Sequence, residues 1–401
     1  MDTDHVSATI VIAGAGYAGL HIAQRLGSWL DRHHKVSLTL VDQQAYHQLV
    51  TELPRVATGT RSGEQVHVPL NGVLSPRVRF VQSEVTGLDL AGRAVLTDAG
   101  PLPYTYLVVA LGSRPNDFAI PGLAERALYP YSAEGAQHVW DAVNAAVQKA
   151  AAMRDAGEQR RLQTVVIGGA GATGVELAGA FAEELPQLAR RYGARPDYGR
   201  VILVEAGPTI LAGSSPDLIG KARHILRELN VTIRTNAPIA EASPQGFRLE
   251  NGEVISGSVF VWAGGVTAPA VIQRSGLPIG HNGRITVDPY LRAVNHPEIF
   301  VAGDLAGVVD AETGRMLPPL AQIALQAGDT VVHNLRAALE GRPLAAFRFR
   351  NKGFVVSVGN RRGVAELAGL TTGGRLAHAL KDAIDWEYRT SVKHLRGWAV
   401  V

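Results

Sequence analysis

The sequence contains no cysteine. That excludes disulfides, thiolate metal sites, cysteine-held iron–sulfur clusters and thiol redox chemistry. The 13 histidines are scattered without ligand spacing, so nothing reads as a metal site. Long hydrophobic runs are missing too. The charge-free stretches 6–24 and 254–273 are broken by glycines and polar residues, the second also by Pro269. Both read as strand–loop units inside a fold, not as membrane spans. The opening "MDTDHVSAT" is acidic and lacks an apolar h-region, so it does not read as a signal peptide. Net charge is small, with 39 Lys+Arg against 36 Asp+Glu, but it is unevenly spread. Residues 331–401 hold 12 Lys+Arg and 5 Asp+Glu, and the remaining 330 residues hold 27 and 31. A basic tail on a slightly acidic body suits an anionic surface, either a membrane or a polyanion.

What the chain does have is glycine, 44 in 401 residues without a collagen period. That predicts many tight strand-to-helix turns, and the length suggests two or three domains. The stretch "ATIVIAGAGYAGLHIAQRL" is an apolar run, a glycine loop and a helical pattern, and "LTLVDQQAYH" follows as a second strand, completing a βαβ unit. The loop is Gly14-x-Gly16-x-x-Gly19. Gly14 permits the tight turn, Gly16 lets the backbone approach a pyrophosphate, and Gly19 lets helix pack on strand. Tyr17 and Ala18 lie inside the loop, and the helix start offers free N–H groups to phosphate. Asp42 follows at a strand end, where a carboxylate accepts from ribose hydroxyls.

The pattern then recurs. "TVVIGGAGATGVELAGAFAEEL" carries Gly169-x-Gly171-x-x-Gly174, with Thr173 inside, and Glu205 ends the next strand in "RVILVEAGPTIL". Glu205 argues for NADH over NADPH, because a carboxylate repels a 2′-phosphate. Two further strands run into small-residue turns, "YLVVALGSRPN" with Gly112 and "VFVWAGGV" with Gly264. "IFVAGDLAG" places Gly303 and Asp304 after a strand, near a flavin's ribityl and pyrophosphate groups. The expected fold is α/β, with two Rossmann-like dinucleotide-binding domains, the second inserted into the first, and a small C-terminal module. The expected boundaries are 1–115 and 276–335 for a FAD-binding domain, 116–275 for an NADH-binding domain, and 336–401 for the module. The charged end of the connection, "MRDAGEQRR" (153–161), reads as a surface link.

The order of these segments resembles the two-dinucleotide-binding flavoprotein disulfide reductases over nearly the whole chain. The absent cysteines prune the branches that need a redox-active thiol. Finer motifs resemble type II NADH dehydrogenase, the single-subunit, non-pumping NADH:quinone oxidoreductase: "YHQLVTELPRVATG" (46–59), "GATGVELAGAFAEEL", "PPLAQIALQAG" and "FRFRNKGFVVSVGNRRGVAEL" (347–367). The resemblance implies a tightly bound FAD, NADH as substrate and a quinone as acceptor. It implies that Glu176 lies near the flavin–nicotinamide stack and that Gln322 and Gln326 line the quinone site; His47 reads as a packing or flavin-contact residue, and Lys352 either stabilises charge on reduced flavin or is a solvated loop lysine. Those two glutamines sit four residues apart, so their amides share one helical face. That face meets the acceptor, or else it caps a neighbouring backbone.

In "LAHALKDAIDWEYRTSVKHLRGWAVV" (376–401), Leu376, Leu380, Ile384, Tyr388, Val392, Leu395 and Trp398 read as one helical stripe, with Lys381, Arg389, Lys393 and Arg396 around it. A helix in an anionic membrane interface fits that composition; packing on the body or in a homodimer is the alternative. The expected location is the cytoplasm, peripheral on the inner face of the cell membrane. Two other activities stay open at this point. One is a soluble NADH:acceptor reductase with a non-quinone acceptor, and the other is a flavin- and NADH-binding sensor of the apoptosis-inducing-factor type.

Overall fold

The computed structural model describes residues 8–280 and 283–394. The first βαβ unit is β1 (Ala8–Ala13), α1 (Tyr17–Leu30) and β2 (Val36–Asp42). Every residue of β1 except Thr9 is buried, as a parallel strand covered on both faces requires. With β3 (Val78–Gln82), β4 (Tyr106–Val109) and β5 (His296–Val301), these strands form a parallel sheet in the order β5-β4-β1-β2-β3. The pair Arg292–Ala293 adds an antiparallel edge beside β5. The strand order reverses at β1, so the crevice at its carboxyl end, where Gly14 begins, is the position for a ligand.

The second sheet repeats this plan. β6 (Thr164–Gly168), β7 (Arg200–Val204), β8 (Thr232–Arg234) and β9 (Val259–Trp262) lie parallel in the order β8-β7-β6-β9. The helix α2 (Ala172–Tyr192) leaves β6 just as α1 leaves β1. Each half also carries a small antiparallel meander before its last strand of the repeat, at 85–103 in the first and 239–255 in the second. Two chain crossings join the halves, where Arg114–Pro115 pairs antiparallel with Val266–Thr267. A single apolar cluster runs from Ile10 and Leu26 through Val139 and Val143 into Ile167 and Phe181, so the halves share a core.

The end of the charged connection lies at the surface and is ordered there as a short helix, Ala156–Leu162, capped by the Asp155 carboxylate accepting from Glu158 N. The C-terminal module is a three-stranded antiparallel sheet, β10 (Phe354–Ser357), β11 (Gly363–Leu367) and β12 (Leu370–Gly374), followed by helix α4 (Arg375–His394). Before it runs α3 (Ala321–Leu339), which carries the two glutamines and packs on α1.

The tail stripe departs from the sequence expectation. The inward face of α4 is Ala377, Lys381, Asp385, Tyr388 and Val392, while Leu376 is 70% exposed and Trp386 68%. A four-residue step advances by about 40° beyond a full turn in a 3.6-residue helix. Leu376 and Val392, four such steps apart, therefore point to nearly opposite sides. Lys381 and Asp385 can be buried because they pair at 2.7 Å. Leu395, Arg396 and Trp398 lie outside the described residues.

Candidate functional site

The two glycine loops are built alike. Gly14 and Gly169 have positive φ, +104° and +99°, which a side chain would strain. A Cβ on Gly19 would fall against the carbonyl of Gly14, and one on Gly174 against the carbonyl of Gly169. A Cβ on Gly16 or Gly171 would meet nothing within 4 Å. The third glycine thus serves helix–strand packing, and the middle one faces open space. Helices α1 and α2 both start at a glycine with no side-chain cap and no acidic residue in the first turn. Their first N–H groups are left for an anion. Thr173 stands exposed in the first turn of α2.

The acidic strand ends match as well. Asp42 Oδ2 accepts from Ala15 N at 2.7 Å and Oδ1 from Gln44 N at 2.8 Å. Glu205 Oε2 accepts from Ala170 N at 2.7 Å and Oε1 from Gly207 N at 2.8 Å. Each carboxylate ties its strand end to its own glycine loop. Burial raises the Asp42 pKa, and the two backbone N–H groups oppose that rise.

The small-residue turns converge on these loops. A Cβ on Gly14 would meet Ala110, and one on Gly169 would meet Ala263 and Gly264. Gly303 lies against Ala18 and Ala324, which brings the first loop, the "GD" turn and the glutamine helix together. Asp304 accepts from Ser113 Oγ at 2.6 Å, beside Gly112, and Ser113 also meets the Tyr131 hydroxyl at 2.5 Å. Burial pushes the Tyr131 phenol up to about 12. Ser113 and Tyr131 were missed from sequence. Ser113 has a signal, since it follows Gly112 at a strand end, but Tyr131 has none nearby.

The proposed acceptor residues occupy a different layer. Gln322 Nε2 donates to Gly353 O at 2.9 Å, and Lys352 N donates to Gln322 Oε1 at 3.2 Å. Gln326 repeats this on Arg350, with 3.0 Å in each direction. Of the two partners open to the shared amide face, these bonds are to backbone: the glutamines clamp the segment 350–353 at two points. That segment continues into β10, where Ser357 N donates to Glu176 Oε1 at 3.2 Å. The strand thus spans from the glutamine helix to the first turns of α2, across both halves of the fold. Burial raises the Glu176 pKa; Lys381 opposes this, Asp385 adds to it, and the Ser357 N–H and Arg55 also oppose it. Lys352 places its charge within reach of Asp329.

His47 is 0% exposed and sits behind the first loop, its Nδ1 3.0 Å from Ala15 O and its Nε2 2.9 Å from the Tyr388 hydroxyl. Tyr17 is likewise turned inward, onto Thr51 and Tyr388. A cleft of about 450 Å³ lined by His21, Arg25, Asp329 and Arg336 borders neither glycine loop.

Comparison with known proteins agrees with this geometry. The family profile described as pyridine nucleotide-disulphide oxidoreductase matches residues 8–328. The type II NADH:quinone oxidoreductase of Staphylococcus saprophyticus is 31% identical over 388 residues, covering 94% of each chain. Its Staphylococcus aureus counterpart is 31% identical over 380 residues, again covering 94% of each. Among solved structures, NDH2 from Plasmodium falciparum in complex with NADH superposes with a TM-score of 0.84 at 17% identity, covering 96% of this chain and 94% of that one. The sulfide:quinone oxidoreductase of Aquifex aeolicus reaches 0.80 at 18% identity, covering 97% and 92%. These two structural likenesses speak for the fold. With matched glycine loops, matched acidic strand ends and relatives aligned along nearly its full length, the chain belongs to the pyridine nucleotide-disulphide oxidoreductase family, and within it to the type II NADH:quinone oxidoreductases.

Proposed function

We propose that the protein oxidises NADH and reduces a quinone by way of FAD, without pumping protons. The observation that carries this reading is the pair of glycine loops, each open only at its middle glycine, in one chain that has no cysteine to serve as redox group. Bound FAD supplies the two-electron relay between the nicotinamide and the quinone. The protein's share is placement. Gly14, Gly16 and Gly19 with the start of α1 hold the flavin pyrophosphate, and Asp42 meets the adenosine ribose. Gly112, Gly303 and Asp304 face the remainder of the flavin chain. Gly169, Gly171, Thr173 and Gly174 with the start of α2 take the NADH pyrophosphate, Glu205 its ribose, and Gly264 lies along the nicotinamide half. Glu205 favours NADH over NADPH because a 2′-phosphate would bring negative charge against a carboxylate.

For the acceptor side, Gln322 and Gln326 fix residues 350–353, and each amide has a second N–H to offer a quinone carbonyl. Lys352 adds positive charge there. Glu176 holds its proton to higher pH than an ordinary carboxyl, which suits a proton donor to the quinone. No helix among the described residues is long and apolar enough to cross a membrane. The electrons reach the quinone from a surface position, with the protein on the inner face of the cell membrane.

The test is anaerobic stopped-flow on the purified yellow protein. Flavin reduced by NADH is mixed with a soluble short-chain quinone, and the return of flavin absorbance is followed. Fast, saturable reoxidation is the expected result. A long-lived charge-transfer band with slow reoxidation by every quinone would replace this reading with another acceptor or with a sensor.

A further inference from the structure

The two glycine loops differ at one peptide. In the second loop the carbonyl of Ala170 accepts from Leu211 N at 2.8 Å, a bond within the same half of the fold. In the first loop the equivalent carbonyl, Ala15 O, accepts from His47 Nδ1 at 3.0 Å. A carbonyl can only accept, so Nδ1 carries the proton. Burial pushes the imidazole down to about 4, so the ring is neutral and Nε2 is an acceptor. Tyr388 donates its hydroxyl to Nε2 at 2.9 Å. Ala15 N, on the other side of the residue, donates to Asp42. The backbone between Gly14 and Gly16 is therefore held from two directions, by the strand end and by the C-terminal helix.

That helix is firmly seated. Tyr388 stacks on Tyr17, the first residue of α1, with centroids 4.5 Å apart and planes at 12°. Arg389 forks onto Glu52 at 2.8 and 3.0 Å, and Arg61 joins the same carboxylate, which is 1% exposed. Arg55 reaches Asp382 and, at 3.5 Å, Asp385. Gln24 of α1 donates to Val392 O at 2.9 Å. None of these contacts involves the glycine loop's open side.

We propose that Tyr388 is a positioning residue for FAD: acting through His47 on Ala15, it makes the C-terminal helix the latch of the first glycine loop. The cofactor that stays is latched by the far end of the chain, whereas the matching Ala170 carbonyl of the substrate's loop is held from within its own half. This inference rests on the first loop being the flavin's. Lifting the helix frees the Ala15 peptide and loosens the cradle, so flavin retention and helix docking rise and fall together.

The experiment uses the full-length holoenzyme. FAD release is read from the rise in flavin fluorescence after dilution, alongside the unfolding midpoint of the apoprotein. Tyr388→Phe keeps the stack on Tyr17 and removes only the hydroxyl. It should speed release by about fivefold, the worth of one hydrogen bond; because His47 Nε2 also loses its donor in the apoprotein, the release rates are compared at a temperature well below each variant's unfolding midpoint. His47→Asn should do the same, and the double variant should be no faster than His47→Asn alone, because both act on one peptide. Release at the wild-type rate from Tyr388→Phe, or fully additive effects in the double variant, would overturn the latch. A wild-type protein that holds no FAD would instead overturn the functional reading beneath it.

Discussion

At the residue scale, position within a glycine loop decides what a methyl group does. Gly171 and Gly174 are three residues apart, yet a Cβ on the first meets nothing within 4 Å and a Cβ on the second meets the carbonyl of Gly169. Gly171→Ala should leave the unfolding midpoint nearly unchanged, within about 0.5 kcal/mol, and raise the NADH dissociation constant tenfold or more. Gly174→Ala should cost about 1–3 kcal/mol through overpacking. Equal stabilities, measured by thermal unfolding without NADH, would contradict that division. His47 makes a second residue-scale prediction. Its ordinary pKa is 6.5 and burial lowers it to about 4 in the fold. Between those values the unfolded chain binds more protons. The stability His47 contributes is therefore present above pH 6.5 and lost as pH falls toward 4, by at most about 3 kcal/mol. Denaturant titrations at pH 7.5, 5.5 and 4.5 should show a shallower loss for His47→Asn than for the wild type. Parallel losses would remove the imidazole from the acid transition.

At the element scale, the glutamine helix shows what periodicity carries and what it omits. Four-residue spacing predicts that Gln322 and Gln326 share a face, and they do. It does not say what lies opposite, because Gly353 and Arg350 come from a later segment, 31 and 24 residues away. Asp42 and Glu205 were legible for the opposite reason: each bonds a loop reached within its own βαβ unit, so strand, loop and acid appear in order along the chain. Tyr388 and His47, 341 residues apart, leave no local signal at all. The helix α4 misled for a further reason, since its buried stripe holds a lysine and an aspartate, and apolar patterning looks past paired charges. The clamp predicts that Gln322→Ala and Gln326→Ala leave flavin reduction by NADH intact and slow reoxidation by quinone, by about tenfold, because the 350–353 segment loses both its anchors. Collapse of the NADH half-reaction instead would place the clamp on the wrong side of the flavin.

At the scale of the whole molecule, the duplicated plan was readable because each half repeats strand, glycine loop, helix and acidic strand end. The surface was not readable, because it depends on which side of α4 the body occupies. With Lys381, Asp385 and Tyr388 turned inward, the outward side presents Leu376 and Trp386, with Leu370 of the preceding hairpin 78% exposed. Solvent-facing leucine and tryptophan suit a helix that lies in a lipid interface with tryptophan at the headgroups, and the net positive charge of the module favours anionic lipid. A protein that takes a lipid-soluble quinone gains from standing there. Sedimentation with vesicles should therefore show binding to mixtures containing anionic lipid, weaker binding to neutral ones, and partial release at high salt. Trp386→Ser should lower binding to both, since it removes the apolar contribution, while FAD stays bound because Trp386 faces away from the Tyr388 latch. If vesicles of either kind leave the protein in solution and its mass there is that of two chains, the same outward face is instead the contact between subunits.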